Sequence, residues 1–148
     1  MGSGMLRMLA VVLVSAPLLP VAAPATTPQD MPASGICMRE GSKFVGNAPV
    51  RIGKSIRMPK KLRSATPRYP ELPPGTRASG VWMGEVLLNN RGKVIHVWPI
   101  REVRLTPPYA AFNQAIVDSI RQSEFEPVHL KGTATAACFT TTVSTHWR

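Results

Sequence analysis

The stretch that decides the fold is Val81–Ile100, which reads VWMGEVLL, then NNRG, then KVIHVWPI. Its first part alternates with the two-residue period of a β-strand, so Val81–Leu88 is predicted to be a strand with one apolar face. That face carries Trp82, Val86 and Leu88, and the opposite face carries Met83, Glu85 and Leu87.

A hairpin is predicted to follow this strand. Asn89-Asn90-Arg91-Gly92 has the residue types of a tight turn, because Asn and Gly tolerate positive φ. The returning strand is predicted over Lys93–Ile100. Its apolar residues fall at Val94 and Val97, and this odd spacing predicts a β-bulge.

A helix is predicted after the hairpin. Thr106-Pro107-Pro108 is typical of a helix start, with Thr as the N-cap and Pro at the first helical position. Apolar residues then recur at steps of three and four along one face, to about Ser123. These residues are Phe112, Ala115, Ile116 and Ile120.

The last element predicted is a long strand over Thr133–Trp147, which is rich in Thr and Val and follows a turn at Gly132. The resulting order is strand, strand, helix, strand. The fold class is therefore α+β, a small three-stranded antiparallel sheet with one main helix packed on one face. Residues 66–76 form a turn-rich entry to it, with one short extra helical turn.

The domain organisation follows from composition. Residues 62–148 are predicted to form the folded domain. Residues 26–61 contain Pro, Gly and Ser without sustained periodicity, so they are interpreted as a linker or basic wrapping arm, with one short strand within Val50–Ile56. Residues 1–25 resemble a secretory signal peptide.

The signal-peptide interpretation rests on the apolar run MLRMLAVVLVSAPLLPV, which has Arg7 as its only charge and is broken by Pro17 and Pro20. A spanning helix needs roughly 20 apolar residues. Ala23-Pro24-Ala25 then offers the small residues that a signal peptidase reads. The chain is therefore predicted to be periplasmic; the alternative is an uncleaved anchor in the inner membrane.

The chain has two cysteines, Cys37 and Cys138, both outside the signal segment. In an oxidising compartment such a pair is more often a disulfide than a metal site. A disulfide between them would close a loop of about 100 residues and stabilise the fold by up to about 4–5 kcal/mol in the chain-entropy model. Two buried free thiols are the alternative.

The net charge is +10, and Arg51–Arg68 contains seven Lys or Arg and no acid. Such a run can bind nucleic acid, but the export signal argues against that partner. Peptidoglycan, lipopolysaccharide or anionic lipid is the expected counter-charge for a secreted basic module. A solvated linker with no specific partner remains the simplest interpretation of the run.

Catalytic chemistry is not indicated. The three histidines, His96, His129 and His146, have no metal-ligand spacing, and the sequence contains no nucleophile elbow and no phosphate-binding glycine loop. No enzyme activity, metal or cofactor is therefore expected.

The segment Thr140–Thr145 is the candidate partner-binding region, because it is β-prone and nearly uncharged near the chain end. An edge strand of this type offers unpaired backbone groups to which another chain can add a strand. The alternative is a central strand with threonines on its wet face. The candidate residues are Thr140, Thr141, Thr142, Val143, Ser144 and Thr145.

Taken in order, these features resemble the TonB C-terminal domain family over roughly residues 50–147. The resemblance is carried by Tyr69-Pro70, Gly80-Val81, Asn90-Arg91-Gly92-Lys93-Val94, Phe125-Glu126-Pro127, Gly132 and the final strand.

The resemblance implies a periplasmic domain whose final strand receives the TonB box of an outer-membrane transporter, coupling an inner-membrane motor to energy-dependent transmembrane transport. The expected partner is such a transporter or another envelope protein, and a homodimer is left open. The stretch 26–61 has too few residues to cross a periplasm together with this domain, at about 3.3 Å per extended residue. A binding protein is therefore favoured over the alternative, a short membrane-anchored energy transducer.

We expect signal peptidase to cleave before Thr26, because small residues precede that bond. N-terminal sequencing of the protein recovered from the cell envelope checks this. A mature chain that still carries the apolar run would contradict cleavage and favour the anchored alternative.

Overall fold

A computed structural model describes residues 35–145. The predicted signal peptide, residues 26–34 and His146–Arg148 lie outside this range. The elements are α1 (Ile36–Glu40), α2 (Ser42–Val45), β1 (Val50–Arg51), β2 (Lys61–Arg63), β3 (Arg77–Ser79), β4 (Val81–Leu88), β5 (Val94–Arg101), β6 (Arg104–Thr106), α3 (Ala110–Arg121), β7 (Glu124–Phe125), β8 (Val128–Leu130), β9 (Thr133–Thr135) and β10 (Ala137–Ser144).

The fold is α+β, as predicted, but its main sheet has four strands rather than three, in the order β1-β10-β4-β5. The additional strand, β1, runs parallel to the start of β10. Three further two-stranded pairs surround this sheet: β2 with β7, β3 with β6, and β8 with β9. The prediction of a single three-stranded sheet was wrong because these strands are short and, except for β8 and β9, pair with partners distant in sequence, which leaves little periodic signal.

The predicted hairpin is confirmed. Strand β4 has the predicted bounds, and the Asn89 side chain accepts hydrogen bonds from the backbone N–H groups of Arg91 and Lys93 inside the turn. The bulge is also confirmed, since Leu87 pairs with His96 whereas the next residue, Leu88, pairs with Val94. Ile95 is therefore the extra residue in β5.

Helix α3 packs its apolar face on the sheet as predicted. Phe112, Ile116 and Ile120 share one core cluster with Trp82 and other β4 side chains. The predicted start was wrong, however. The helix begins at Ala110 with Tyr109 as its N-cap, whose side chain makes no capping bond. Thr106 lies instead in β6, where it pairs with Arg77 of β3.

The predicted final strand is two strands. β9 and β10 are separated by Ala136, and β9 folds back on β8 through a turn at Lys131 and Gly132 that has positive φ at both residues. A single strand over Thr133–Trp147 was therefore wrong, because its first residues pair in a local hairpin.

A helix on one face only would leave the opposite face of the sheet exposed to solvent. In the structure that opposite face is covered. Cys37 of α1 packs there with Leu87 and Cys138, and Val45 of α2 lies against this second cluster. The described part of the predicted linker is thus a wrapping arm, and β1, within Val50–Ile56, adds a strand upstream of the predicted boundary at residue 62. Residues 66–76 contain no helical turn; the short helices lie in 36–45 instead.

Across residues 35–145, no helix combines the length and apolarity needed to cross a membrane.

We expect Ile116→Ala to lower the free energy of unfolding by about 2–5 kcal/mol, because Ile116 is fully buried and its truncation leaves a cavity. Gln114→Ala on the exposed face of α3 is the control and should change it by less than about 0.5 kcal/mol. Urea denaturation of both variants measures the difference. Equal, small effects would show that α3 does not close the core.

Candidate partner-binding edge

Strand β10 is paired along its whole length on one side only. Against β4 its register is continuous, from Ala137 opposite Leu88 to Ser144 opposite Val81. On its other side, β1 pairs only with Ala137 and Cys138. Among the described residues no strand continues past Cys138 on that side. The stretch 140–144 is therefore an open sheet edge.

The backbone groups that point outward along this edge can be assigned. The N–H of Val50 donates to the carbonyl of Ala136 and that of Ile52 to the carbonyl of Cys138, each at 2.9 Å. Backbone direction alternates along a strand, so Thr140, Thr142 and Ser144 point their N–H and C=O groups to the same side. Within residues 35–145, these groups have no backbone partner there. The backbone N–H and C=O groups of Thr141 and Val143 point towards β4 instead.

The side chains of this edge differ between the two faces of the sheet. Thr140, Thr142 and Ser144 are exposed, on the face of the disulfide. Thr141 and Val143 are half-buried on the face of α3, where Val143 packs against the core. An added strand would therefore meet polar hydroxyls on one face and a partly apolar surface on the other.

The opposite edge of the sheet, formed by β5, is a poorer template. Trp98 pairs with Glu85, so the next residue, Pro99, lies at an outward position and has no N–H to donate. Two register shifts also interrupt the pairing of β5 with β4. Proline and bulges are common protections of edge strands. The edge of β10 carries neither.

The disulfide is confirmed: Cys37 and Cys138 are bonded, with 5.9 Å between their Cα atoms, and both are fully buried. Cys138 is the last residue of β10 that pairs with β1. The bond therefore ties α1 and the wrapping arm to the point where the open edge begins.

A buried ion pair stands beside the disulfide. Glu85 is 2% exposed, and its carboxylate accepts hydrogen bonds from Arg51 Nη1 at 2.5 Å and from the backbone N–H of Cys37 at 2.8 Å. Arg51 Nη2 also donates to Thr140 Oγ1 at 2.7 Å. The side chain of Arg51 thus reaches the first residue of the open edge.

Sequence reasoning missed this cluster. The alternation correctly places Glu85 on the face of its strand opposite Trp82, but nothing in the local pattern predicts that α1 buries that face. The charge pattern marks Arg51 only as the first cation of the basic run. A carboxylate inside an otherwise apolar strand was the one available signal.

Apart from the final strand, the residues on which the TonB resemblance rests lie outside the open edge at 140–144. Tyr69 stacks on Phe112 with 4.6 Å between ring centroids, and burial raises the pKa of its hydroxyl. Phe125 is buried with its ring edge-on to Phe139. Pro70 is half-buried and Pro127 exposed.

Two of the motif glycines have positive φ. Gly80 has a φ of 93° immediately before β4, and Gly92 has a φ of 78° at the hairpin. A Cβ at Gly92 would lie 2.0 Å from the carbonyl oxygen of Phe125, so no larger residue fits there without a backbone shift.

The two described histidines lie on different strands, β5 and β8. His96 stacks on Phe44 and lies 4.3 Å from Trp98 between ring centroids. Burial among these rings, and then the charge of Arg121, lower the pKa of His96 below its usual value. His129 lies in β8 and is exposed. His146 lies outside the described residues. In the described part of the chain, no three His, Cys, Asp or Glu side chains are grouped so that they could hold a metal ion.

Comparison with known proteins returns no match of this chain to a protein family, to a curated protein or to a solved structure.

We expect Arg51→Met to lower the free energy of unfolding by about 1–3 kcal/mol, because it leaves the Glu85 carboxylate buried with one remaining donor. The double variant Arg51→Met, Glu85→Gln should recover part of this loss, since the neutral amide still accepts the Cys37 N–H. Denaturation of the single and double variants measures both effects.

The matched control is Lys43→Met, which breaks the exposed pair of Lys43 with Glu40 and should leave the free energy of unfolding nearly unchanged. If Arg51→Met costs no more than this control, the Arg51–Glu85 pair does not support the sheet.

Proposed function

We propose that this protein is a periplasmic binding protein of the TonB C-terminal type, which engages an outer-membrane transporter or another envelope polypeptide by β-strand addition. The observation that carries the proposal is the open edge at 140–144, where three residues present outward backbone groups beside a continuous ladder. An extended segment can pair there without any strand of the domain being displaced.

The two edges of the sheet differ in the way that this function requires. Pro99 and the register shifts of β5 disfavour addition at the far edge. The Arg51 side chain and β1 end the available ladder at Thr140. A partner strand would therefore have one place to pair and a fixed limit at one end, which favours a single register.

The chemistry of the partner follows from the two faces of β10. A net backbone hydrogen bond contributes roughly 0.5–1.5 kcal/mol, so a ladder this short gives only weak binding by itself. Additional affinity would come from apolar side chains at alternate positions of the partner, packed beside Val143 and Thr141. The partner positions on the other face of the sheet, beside Thr140, Thr142 and Ser144, would tolerate polar residues.

The resemblance to the TonB C-terminal domain family and the predicted signal peptide support this proposal in the same direction. They imply a periplasmic domain whose final strand binds a partner. A membrane-anchored short energy transducer is the alternative, and it would use the same edge. The two differ in whether residues 1–25 remain on the mature protein.

We expect Thr142→Pro to abolish binding of a synthetic peptide that carries a transporter's TonB box, because proline removes an outward donor at the centre of the edge. The fold should persist, since the Thr142 N–H makes no bond to β4 and proline is tolerated on edge strands. Thr142→Val keeps the backbone donor and side-chain shape, and is the matched control that should bind normally. Amide chemical shifts during peptide titration measure both.

Val143→Pro is a different test, because the Val143 N–H faces β4. It should unfold the end of the ladder rather than remove peptide binding selectively. Peptide-induced shifts that occur elsewhere and leave Thr140, Thr142 and Ser144 unchanged would contradict strand addition at this edge. Equal binding by the Thr142→Pro and Thr142→Val variants would do the same.

A further inference from the structure

The basic run does not form a detached tail but folds against the segment that follows α3. Lys61 pairs with Phe125, and the N–H of Glu126 donates to the carbonyl of Lys60 at 2.8 Å. Upstream, Arg57 and Met58 line one side of an open groove of about 410 Å³, and His129, Leu130 and Lys131 line the other. We call residues 57–63 together with 129–131 the basic strip.

The basic strip carries exposed cations that the protein does not neutralise. Among the described residues, four of its five Lys and Arg side chains make no ion pair: Arg57, Lys60, Lys61 and Lys131. The fifth, Arg63, lies 3.9 Å from the carboxylate of Glu124. The neighbouring carboxylate of Glu124 is bound by Lys93, and Glu126 is the remaining acid beside the strip.

Large apolar side chains are exposed among these cations. Leu62 is 59% exposed between Lys61 and Arg63, in a strand whose three residues are all exposed. Met58 and Leu130 are 46% and 41% exposed on the two sides of the groove. Isolated exposed apolar residues need no explanation, but here three of them each stand next to a Lys or Arg of the strip in the chain.

We propose that the basic strip binds the surface of an anionic phospholipid bilayer. The cations match the phosphate-bearing headgroups, because an anionic membrane surface attracts Lys and Arg side chains close to it. The apolar side chains match the boundary between headgroups and acyl chains, where interfacial segments insert their apolar groups. A hydrated polymer such as peptidoglycan would satisfy the charges but leave Met58, Leu62 and Leu130 in water. This combination favours the bilayer.

The test is co-sedimentation of the exported protein with vesicles of phosphatidylcholine alone, and with vesicles that also contain phosphatidylglycerol. We expect binding to the anionic vesicles only, and loss of most of it in 1 M salt, where the screening length falls to about 3 Å. Equal binding to both vesicle types would overturn the proposal.

Two matched variant pairs locate the surface. The triple variant Arg57→Gln, Lys60→Gln, Lys131→Gln should weaken partitioning at least about tenfold. The control, Arg77→Gln, Arg91→Gln, Arg101→Gln, removes the same charge from exposed sites elsewhere and should weaken it by less than about threefold. An equal loss in both would show that net charge, not this strip, drives binding.

The apolar contribution is tested in the same way. Leu62→Gln should weaken partitioning about threefold or more, whereas Ile100→Gln, at a site 55% exposed on β5, should not change it. Binding unchanged by Leu62→Gln, or binding to isolated peptidoglycan without binding to vesicles, would overturn the bilayer proposal. All four variants leave the edge at 140–144 intact, so peptide titration remains an independent measurement.

Discussion

The ladder between β4 and β10 runs from Ala137 opposite Leu88 to Ser144 opposite Val81 without a register shift. Its position in the sheet explains why β4 is buried on both faces along most of its length. One face packs under α3 through Trp82 and Val86, and the other under α1 through Leu87. Because a shift by one residue would exchange these two faces, the ladder is held in a single register. That register determines which backbone N–H and C=O groups of β10 point away from β4.

The wrapping arm stabilises the beginning of the same ladder. Its disulfide joins α1 to Cys138, and the Arg51–Glu85 pair lies on the same face of the sheet. A carboxylate as buried as that of Glu85 is tolerated because two donors satisfy it. A Cβ at Gly35 would lie 1.8 Å from Glu85 Oε1, so a larger residue there would displace the carboxylate. The arm thus stops at Thr140 and leaves the rest of β10 open.

The two proposed surfaces use different physical interactions. The edge at 140–144 would bind through backbone groups, so its specificity depends on where the ladder is open rather than on particular side chains. The basic strip would bind through charge and exposed apolar side chains, so it is sensitive to salt and to composition. A protein with both surfaces could hold an extended polypeptide while it lies at an anionic membrane.

Local patterns in the sequence determined the β4–β5 hairpin, its turn, its bulge and the apolar face of α3, because each depends on residues a few positions apart. The cysteine pairing was also predictable, since the chain has only two cysteines. What only the tertiary structure decided are contacts between distant residues: β1 beside β10, Thr106 beside Arg77, β2 beside β7, and the arm over Glu85. These contacts decide whether Thr140–Thr145 is an edge or a central segment. No pattern within those residues could settle this, because an unpaired backbone group is defined by the absence of a neighbour that the rest of the fold would have to supply.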